Sequence, residues 1–443
     1  MNRRKQSGQV LVGVAVAFVV LAGFAGLAID MGTLRYQKRL QQTAADGAAM
    51  AGADEIRYHG GTGVTGAARD AATANGFTDS AGDVTNCFAS GATIGTVCVQ
   101  VLNAPASVTL PDGRIINGGP HIGNSKYVEV LVAKVQPTFF MTLFGVTKEV
   151  TLARAVATLI GESGTAPGCV YTLGPPGTGV GVTNSGTPTL NAPTCGIEDN
   201  GDFTTNGSRV DIKAGSIGAV GDITNNGGGT VLCGNPLAAC TVAKIPPTTD
   251  PLSFLQPPTV GTPVNWTGNP TPGTTYNNIT INSGSVINFP AGTYIVNGNL
   301  TINAGATVCN QVAAGCTAAG AANGGVTFYI TNGGTVKING GASVFLDAPN
   351  SGTYAGVLFY QNPSDTSKAI IDGNSSSYYQ GGLYFPGAEL DFGGTSLTNA
   401  TAKYTIIVAN DLKLNGTSTV TLNSDYSSLP GGVSIIENAV LVE

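Results

Sequence analysis

From Gln6 to Ile29 the chain carries no charged residue, and nearly all of it is apolar: Gln9-Val-Leu-Val-Gly-Val-Ala-Val-Ala-Phe-Val-Val-Leu-Ala-Gly-Phe-Ala-Gly-Leu-Ala-Ile29. As a helix rising ~1.5 Å per residue, this run is roughly 36 Å long, enough to cross ~30 Å of hydrocarbon with some tilt. Residues 1–5, containing Asn2-Arg-Arg-Lys5, form a basic tail of the kind that stays cytoplasmic. Everything after Asp30 is then expected outside the cytoplasm. A cleaved signal peptide would have a shorter apolar core and a small-residue cleavage site leading into loop. Here the run passes instead into Met31–Ile56, which lacks proline and is rich in alanine, so a retained helix is expected.

Charge is unevenly spread. Residues 1–162 hold 13 Lys/Arg against 11 Asp/Glu, and residues 163–443 hold 7 against 15. An acidic half whose one arginine is Arg209 is unsuited to nucleic acid, which is bound through clustered Lys and Arg. All eight cysteines lie beyond the apolar run: Cys87, Cys98, Cys169, Cys195, Cys233, Cys240, Cys309 and Cys316. There is no Cys-x-x-Cys and the histidines are His59 and His121, a poor basis for zinc or a redox motif. Disulfides in an oxidising compartment fit better, and pairing of nearest neighbours is the simplest expectation.

In Met31–Ile56, Ala44, Ala48 and Ala51, and likewise Ala45, Ala49 and Gly52, recur at helical spacing. Small residues on one face let another backbone approach closely. A short helix follows at Gly66–Gly76, then strand-like runs at Val97–Leu102, Tyr127–Ala133 and Val150–Ile160. Between the last two lies Pro137-Thr-Phe-Phe-Met-Thr-Leu-Phe-Gly145, expected as an aromatic plug between sheet and helix. A long helix on a small antiparallel sheet is an α+β, pilin-like plan for residues 30–160.

These residues carry a resemblance. Gln6-Ser-Gly-Gln-Val10, Leu27-Ala-Ile-Asp-Met-Gly32 and Leu40-Gln-Gln-Thr-Ala-Ala-Asp-Gly-Ala-Ala-Met-Ala-Gly-Ala53 resemble the amino-terminal segment of TadG/TadE-like proteins of Tad (Flp) pilus systems. Pro137–Gly145 followed by Val150–Ala157 is similar to the end of the same domain, so the resemblance spans about residues 1–160. It implies a single-pass bacterial inner-membrane or pseudopilin-like component with its amino terminus in the cytoplasm and its bulk periplasmic or extracellular. The implied partners are the membrane and other pilus subunits. It also makes Gly8 the candidate processing site, although Gly13 stands where such prepilins carry Glu. The metal-binding Asp-x-Ser-x-Ser of many members has its nearest counterpart in Asp372-Gly-Asn-Ser-Ser376, with Asn374 at the third place, so no metal is expected.

Residues 161–168 read as a hinge. From Cys169 to residue 443 a phrase recurs in which apolar, any and apolar residues precede Asn or a small residue and then Gly. It appears at Val210–Gly215, Ile279–Gly284, Leu300–Gly305, Val336–Gly341, Leu390–Gly394 and Leu412–Gly416. Steps of 21 residues from Ile281 to Ile302 and 22 from Leu390 to Leu412 point to an all-β parallel β-helix, a solenoid. In such a coil Asn282, Asn303, Asn339 and Asn415 would form a ladder. The alternative is a β-sandwich with strands every ~8–12 residues. The segment 245–272 holds eight prolines and cannot be interior strand. It is expected outside the coil, pinned by Leu252, Phe254, Leu255 and Trp266.

For chemistry, Glu389 and Asp391 lie two apart and so on one face of a strand, with Asp347, Asp372 and Asp411 as candidate neighbours. Their simpler reading is a solvated acidic face. Tyr360, Tyr378, Tyr379 and Tyr384 are candidate sugar-stacking rings or, more simply, coil interior. No cofactor motif is present. The expectation is a Tad pilus-associated minor component or membrane-anchored adhesin that displays a β-helix for glycan or protein binding. The alternative is an envelope-anchored polysaccharide-cleaving enzyme.

Overall fold

The structure is a computed structural model. It describes residues 7–59, 63–160, 168–182, 187–205, 211–226, 229–234, 237–239, 242–313, 315–317, 320–394, 397–417, 419–432, 434–436 and 438–442. The chain divides into two compact units, Met1–Ile160 with Asn438–Glu443, and Gly161–Glu437.

The first unit is organised on α1, a single helix of 53 residues, Ser7–His59. Its two halves differ in what they meet. Val12, Phe18, Leu21 and Phe24 stand bare, whereas Ala44, Ala45, Ala48, Ala49, Gly52, Ala53 and Ile56 are buried. The buried set recurs every three or four residues and is small almost throughout, so sheet and helix backbones come close. At Gly52 an added Cβ would stand 2.9 Å from Val128 Cγ1 and 3.3 Å from Val64 Cγ1. Val64 begins α2 (Val64–Ala74), which sets Val64, Ala68 and Ala72 inward. A one-turn helix, α3 (Val84–Cys87), is capped by Asp83, whose side chain accepts from the Thr85 amide.

The sheet contains β1 (Val97–Asn103), β4 (Tyr127–Pro137) and β5 (Lys148–Ile160); a small hairpin of β2 (Val108–Thr109) and β3 (Ile115–Ile116) lies apart from it. β4 is central and antiparallel to both neighbours. It is buried almost end to end because α1 covers one face, with α2 packed beside it on α1 and β1, while Val84, Cys87, Val108 and Leu110 gather on the other with Leu131, Ala133 and Val135. The fourth strand is Asn438–Leu441, antiparallel to the end of β5. This corrects the expectation that the second domain runs to residue 443. A short apolar segment completes the open edge of the first sheet instead.

The second unit is mostly strand, built from parallel ladders. In one, Thr275–Tyr276 pairs with Gly292–Val296, then Val326–Ile330, Val357–Gln361, Tyr378–Phe392 and Thr405–Leu414. The next rung is not later in sequence: Ile407, Val408 and Ala409 pair with Val170, Tyr171 and Thr172. The ladder goes on to Thr189–Asp199, Asp211–Ala219 and Ala243–Lys244. The chain therefore enters the stack in its middle, builds out to residue 244, and builds the remainder from the opposite end.

The proline-rich segment joins those two ends. The Ile245 amide bonds Ala219 O at 3.2 Å, and Thr248 and Asn200 exchange two 2.8 Å bonds. Farther along, Tyr384 Oη donates to Asp250 Oδ2 at 2.7 Å, Tyr360 Oη to Leu255 O at 3.0 Å, and Val264 bridges Tyr276. The strap thus crosses the rungs in stack order on the outer face. Leu252, Leu255 and Phe254 pack on it, but Trp266 does not. That ring turns to the end of the interior and stacks on Phe289 at 5.9 Å.

The recurring phrase makes a second ladder, Ile279–Ile281, Leu300–Ile302, Val336–Ile338 and Ala369–Ile371, followed by residues 390–392 and 412–414. Its two apolar positions point into a continuous core. The corner after it is held by Gly284, Gly305, Gly341, Gly394 and Gly416, with φ between +75° and +85°, which a side chain would resist. Asn339 Nδ2 donates to Asn303 Oδ1 at 3.2 Å, and Asn303 Nδ2 to Asn282 Oδ1 at 3.3 Å. The ladder stops at three. Asn415 donates to Asp391 Oδ1 at 2.7 Å instead, because the rungs between it and Asn339 carry Asp372 and Gly393 at the corner. The phrase at Val210–Gly215 falls on a third ladder, where Ile212–Ala214 pairs with Val231–Cys233.

Candidate functional site

Glu389 and Asp391 do share a face, but they are held in ion pairs. Lys368 Nζ lies 2.7 Å from Glu389 Oε1 and also contacts Asp391 Oδ2, and Lys413 Nζ lies 2.5 Å from Glu389 Oε2. The three lysine and carboxylate rungs are successive, so the charges alternate down the face. Burial alone would raise the Glu389 carboxyl, but hydrogen bonds and charge from Lys368 and Lys413 hold it below its ordinary value. That is the wrong direction for a general acid. Asp411, opposite Glu389 in register, accepts from the Gly179 amide at 2.7 Å. Asp372 lies one rung before Asp391, and Asp347 is on another ladder altogether.

The four tyrosines are all buried, which corrects the reading of them as an exposed sugar platform. Tyr379 is interior, between Phe359 and Phe392. Tyr360 and Tyr384 form a row with Tyr329 beneath the strap and hold it with their hydroxyls. Tyr378 donates to Asp347 Oδ2 at 3.0 Å.

That last contact marks the better candidate. A cleft of about 370 Å³ is lined by Asp347, Tyr378, Gln380 and Lys403, with Gly320–Ala322 along one side. The Cys309–Cys316 disulfide secures the loop leading to that side and packs on Phe345 and Tyr378. Burial pushes the Asp347 carboxyl up, against the hydrogen bond from Tyr378 and the charge of Lys403. A carboxyl, an amide, a hydroxyl and an ammonium around one concavity suit a polyhydroxylated or peptide ligand. Sequence reading missed it because Asp347, Gln380 and Lys403 come from three rungs. The one available signal was the seven-residue cysteine spacing.

Two further disulfides are Cys87–Cys98, between α3 and β1, and Cys169–Cys195. Cys233 is also disulfide-bonded, and Cys240 lies outside the described residues. Gly8 lies in the first turns of α1, and His59 ends that helix. His121 stacks on Tyr127 with centroids 3.9 Å apart. Among the described residues no group of three or more His, Cys, Asp or Glu could hold a metal ion.

In the first unit the informative group is Asp30, buried at the end of the uncharged run of α1. Its Oδ1 accepts from the Phe139 amide at 3.0 Å, and its Oδ2 from the Phe140 and Met141 amides at 2.8 and 2.7 Å. The Pro137–Gly145 loop is therefore clasped to the helix by its backbone. This corrects the expectation of an aromatic plug, since Phe139, Leu143 and Phe144 point away from the protein.

No curated protein and no solved structure matches the chain. One family model does match, described as putative Flp pilus-assembly TadE/G-like, over residues 8–55. Those residues take in the bare half of α1, Asp30 and most of its small-residue face. Over residues 8–55, the amino-terminal helix of this protein is thus similar to the TadE/G-like Flp pilus-assembly family.

Proposed function

We propose that this protein is a Tad pilus-associated component of the bacterial inner membrane. In this reading α1 is the single span, the amino terminus is cytoplasmic, and the second unit is an extracytoplasmic parallel β-helix displayed for adhesion. The observation that carries the reading is the change in what α1 presents along its length, with the uncharged run ending at Asp30 and the packed face beginning at Gln41. From Val12 to Ile29 the helix offers only apolar side chains to its surroundings, an exposed charged stretch holding Arg35, Lys38 and Arg39 follows, and from Gln41 on the helix is sealed by small residues under a sheet. A helix packed along its whole length would be core, and one cleaved after the apolar run would end there.

The coil is supported by the register. Successive rungs of one ladder advance by 21, 36, 33, 21 and 22 residues with every pairing parallel, whereas a sandwich pairs its strands antiparallel. The cleft at Asp347, Gln380 and Lys403 is where a glycan or partner peptide would bind. The protein binds its ligand without turnover in this reading, since the paired carboxylates are tied up by lysines.

The test is a polysaccharide panel offered to the full chain in nanodiscs. Retention weakened about tenfold by Lys403→Ala, with no reducing sugar released, is the expected result, as for loss of one hydrogen-bonded charge in a binding site. Sugar release abolished by Glu389→Gln would replace this reading with a glycan-cleaving enzyme.

A further inference from the structure

We infer that the Pro137–Gly145 loop is a second membrane contact, a lateral wedge seated in the headgroup–acyl boundary beside α1. The inference rests on α1 being the span. Phe139, Leu143 and Phe144 are 61%, 83% and 72% exposed, an unusual density for one short loop. No charge falls between Lys134 and Lys148. In water such a patch would be a liability, and its position says what covers it.

Phe140 lies against Gly26, where an added Cβ would come within 2.5 Å of the ring. Gly26 is three residues inside the apolar run, so this ring sits ~4.5 Å below Ile29 along the axis. The patch is thus continuous with the apolar surface of the span. Arg35, Lys38 and Arg39, with exposed Tyr36, follow ~9–15 Å beyond Ile29, at and above the phosphate level. An apolar tier is capped by a cationic and amphipathic one.

The loop backbone is prepared for the same place. A segment entering the boundary must satisfy its amides internally. Asp30 takes those of Phe139, Phe140 and Met141. Thr138 bonds Thr147 O at 3.2 Å, Leu143 bonds Phe140 O at 3.1 Å, Gly145 bonds Thr142 O at 3.0 Å and Val146 bonds Met141 O at 3.2 Å. A loop made for water would have no need of a buried carboxylate as its acceptor. The wedge also fixes rotation, because only one face of α1, that of Gly26 and Asp30, can lie beneath it.

The experiment places single tryptophans in the full chain, in a Trp266→Phe background, reconstituted in phosphatidylcholine–phosphatidylglycerol vesicles with spin-labelled lipids. Leu143→Trp and Phe144→Trp report the loop. Phe18→Trp reports the span. Ile122→Trp, 52% exposed near the opposite end of β4 and so ~33 Å from Pro137, reports solvent. The expected result is blue-shifted loop emission, quenched about twofold more by labels near the lipid carbonyls than by labels at the acyl centre, as for groups ~5–10 Å into the boundary. Ile122→Trp should respond only to acrylamide. Loop reporters as open to acrylamide as Ile122→Trp, beside a lipid-quenched Phe18→Trp, overturn the wedge alone. Loop reporters shielded from both acrylamide and lipid, and opened by diluting the protein in the bilayer, overturn it in favour of a second copy. An unquenched Phe18→Trp overturns the span and the wedge with it.

Discussion

Asp30 and Met141, 111 residues apart, are joined by a 2.7 Å bond from the Met141 amide to Asp30 Oδ2. With the Phe139 and Phe140 amides, this makes one carboxylate the anchor of a whole loop. Asp30→Ala should release the loop and leave the sheet intact, because the neighbouring strands are paired independently along their length. We expect amide exchange at residues 139–141 to speed up by about tenfold or more, while β4 exchange is unchanged. Asp30→Asn keeps one acceptor and should fall between. Hydrogen exchange read by mass spectrometry on the full chain checks both, and equal exchange in all three proteins would contradict the clasp.

Glycines on the helices separate packing from propensity. Gly52 faces Val128 at 2.9 Å from where its Cβ would be, and Val64 at 3.3 Å, whereas nothing lies within 4 Å at Gly66. Gly66→Ala should therefore stabilise the first unit by about 0.5–1 kcal/mol through helix propensity. Gly52→Leu gains a similar propensity term but forces the helix off β4, at a cost of about 1–3 kcal/mol. Thermal unfolding in detergent should move in opposite directions for the two. A matching rise for both would mean the helix is not pressed on the sheet.

These elements differ in how visible they were from residues alone. The apolar run, the small-residue face of α1 and the rung phrase are local patterns, because burial on a helix or along a strand ladder leaves its period in the sequence. The positive-φ glycines at 284, 305 and 341 could be read for the same reason. Rung order could not. That Ile407 lies beside Val170 is decided by which end of the ladder remains open after residue 244, and no local signal records it. The cleft stayed hidden for a related cause, since Asp347 and Lys403 meet only through stacking. Asp30 belongs to the stretch that carries the resemblance, but its role as an acceptor depends on a loop more than a hundred residues away.

The strap supplies a prediction that joins those two kinds of information. Tyr384 donates to Asp250 Oδ2 at 2.7 Å, and burial raises the Asp250 carboxyl despite that bond and the one from the Leu252 amide. Tyr384→Phe removes a hydrogen bond to a charged group and should cost about 1–2 kcal/mol at pH 7. A raised carboxyl is penalised as pH climbs through its folded value, so this site favours the acid side. The cost of Tyr384→Phe should accordingly shrink near pH 4, where Asp250 is protonated more often. Proteolysis within residues 250–256 should quicken in the variant at neutral pH. Unchanged cleavage would mean that Leu252 and Leu255 hold the strap without the hydroxyl.

The alternating charges give the opposite pH sign. Glu389 lies below its ordinary value of 4.5, because the hydrogen bonds and charges of Lys368 and Lys413 outweigh the burial that would raise it. A depressed carboxyl contributes stability that is present above its unfolded value and is lost as pH falls through the folded one. Glu389→Gln should therefore cost about 1 kcal/mol at pH 7, a modest figure because the pairs are partly open to water. The difference from the parent should close by roughly pH 3 and narrow in molar salt, where screening acts over ~3 Å. Melting of the two proteins across pH 3–8, at low and high salt, checks each limb. A gap that persisted at pH 3 would show that Glu389 acts through packing, and this face of the ladder would then owe its order to shape instead of charge.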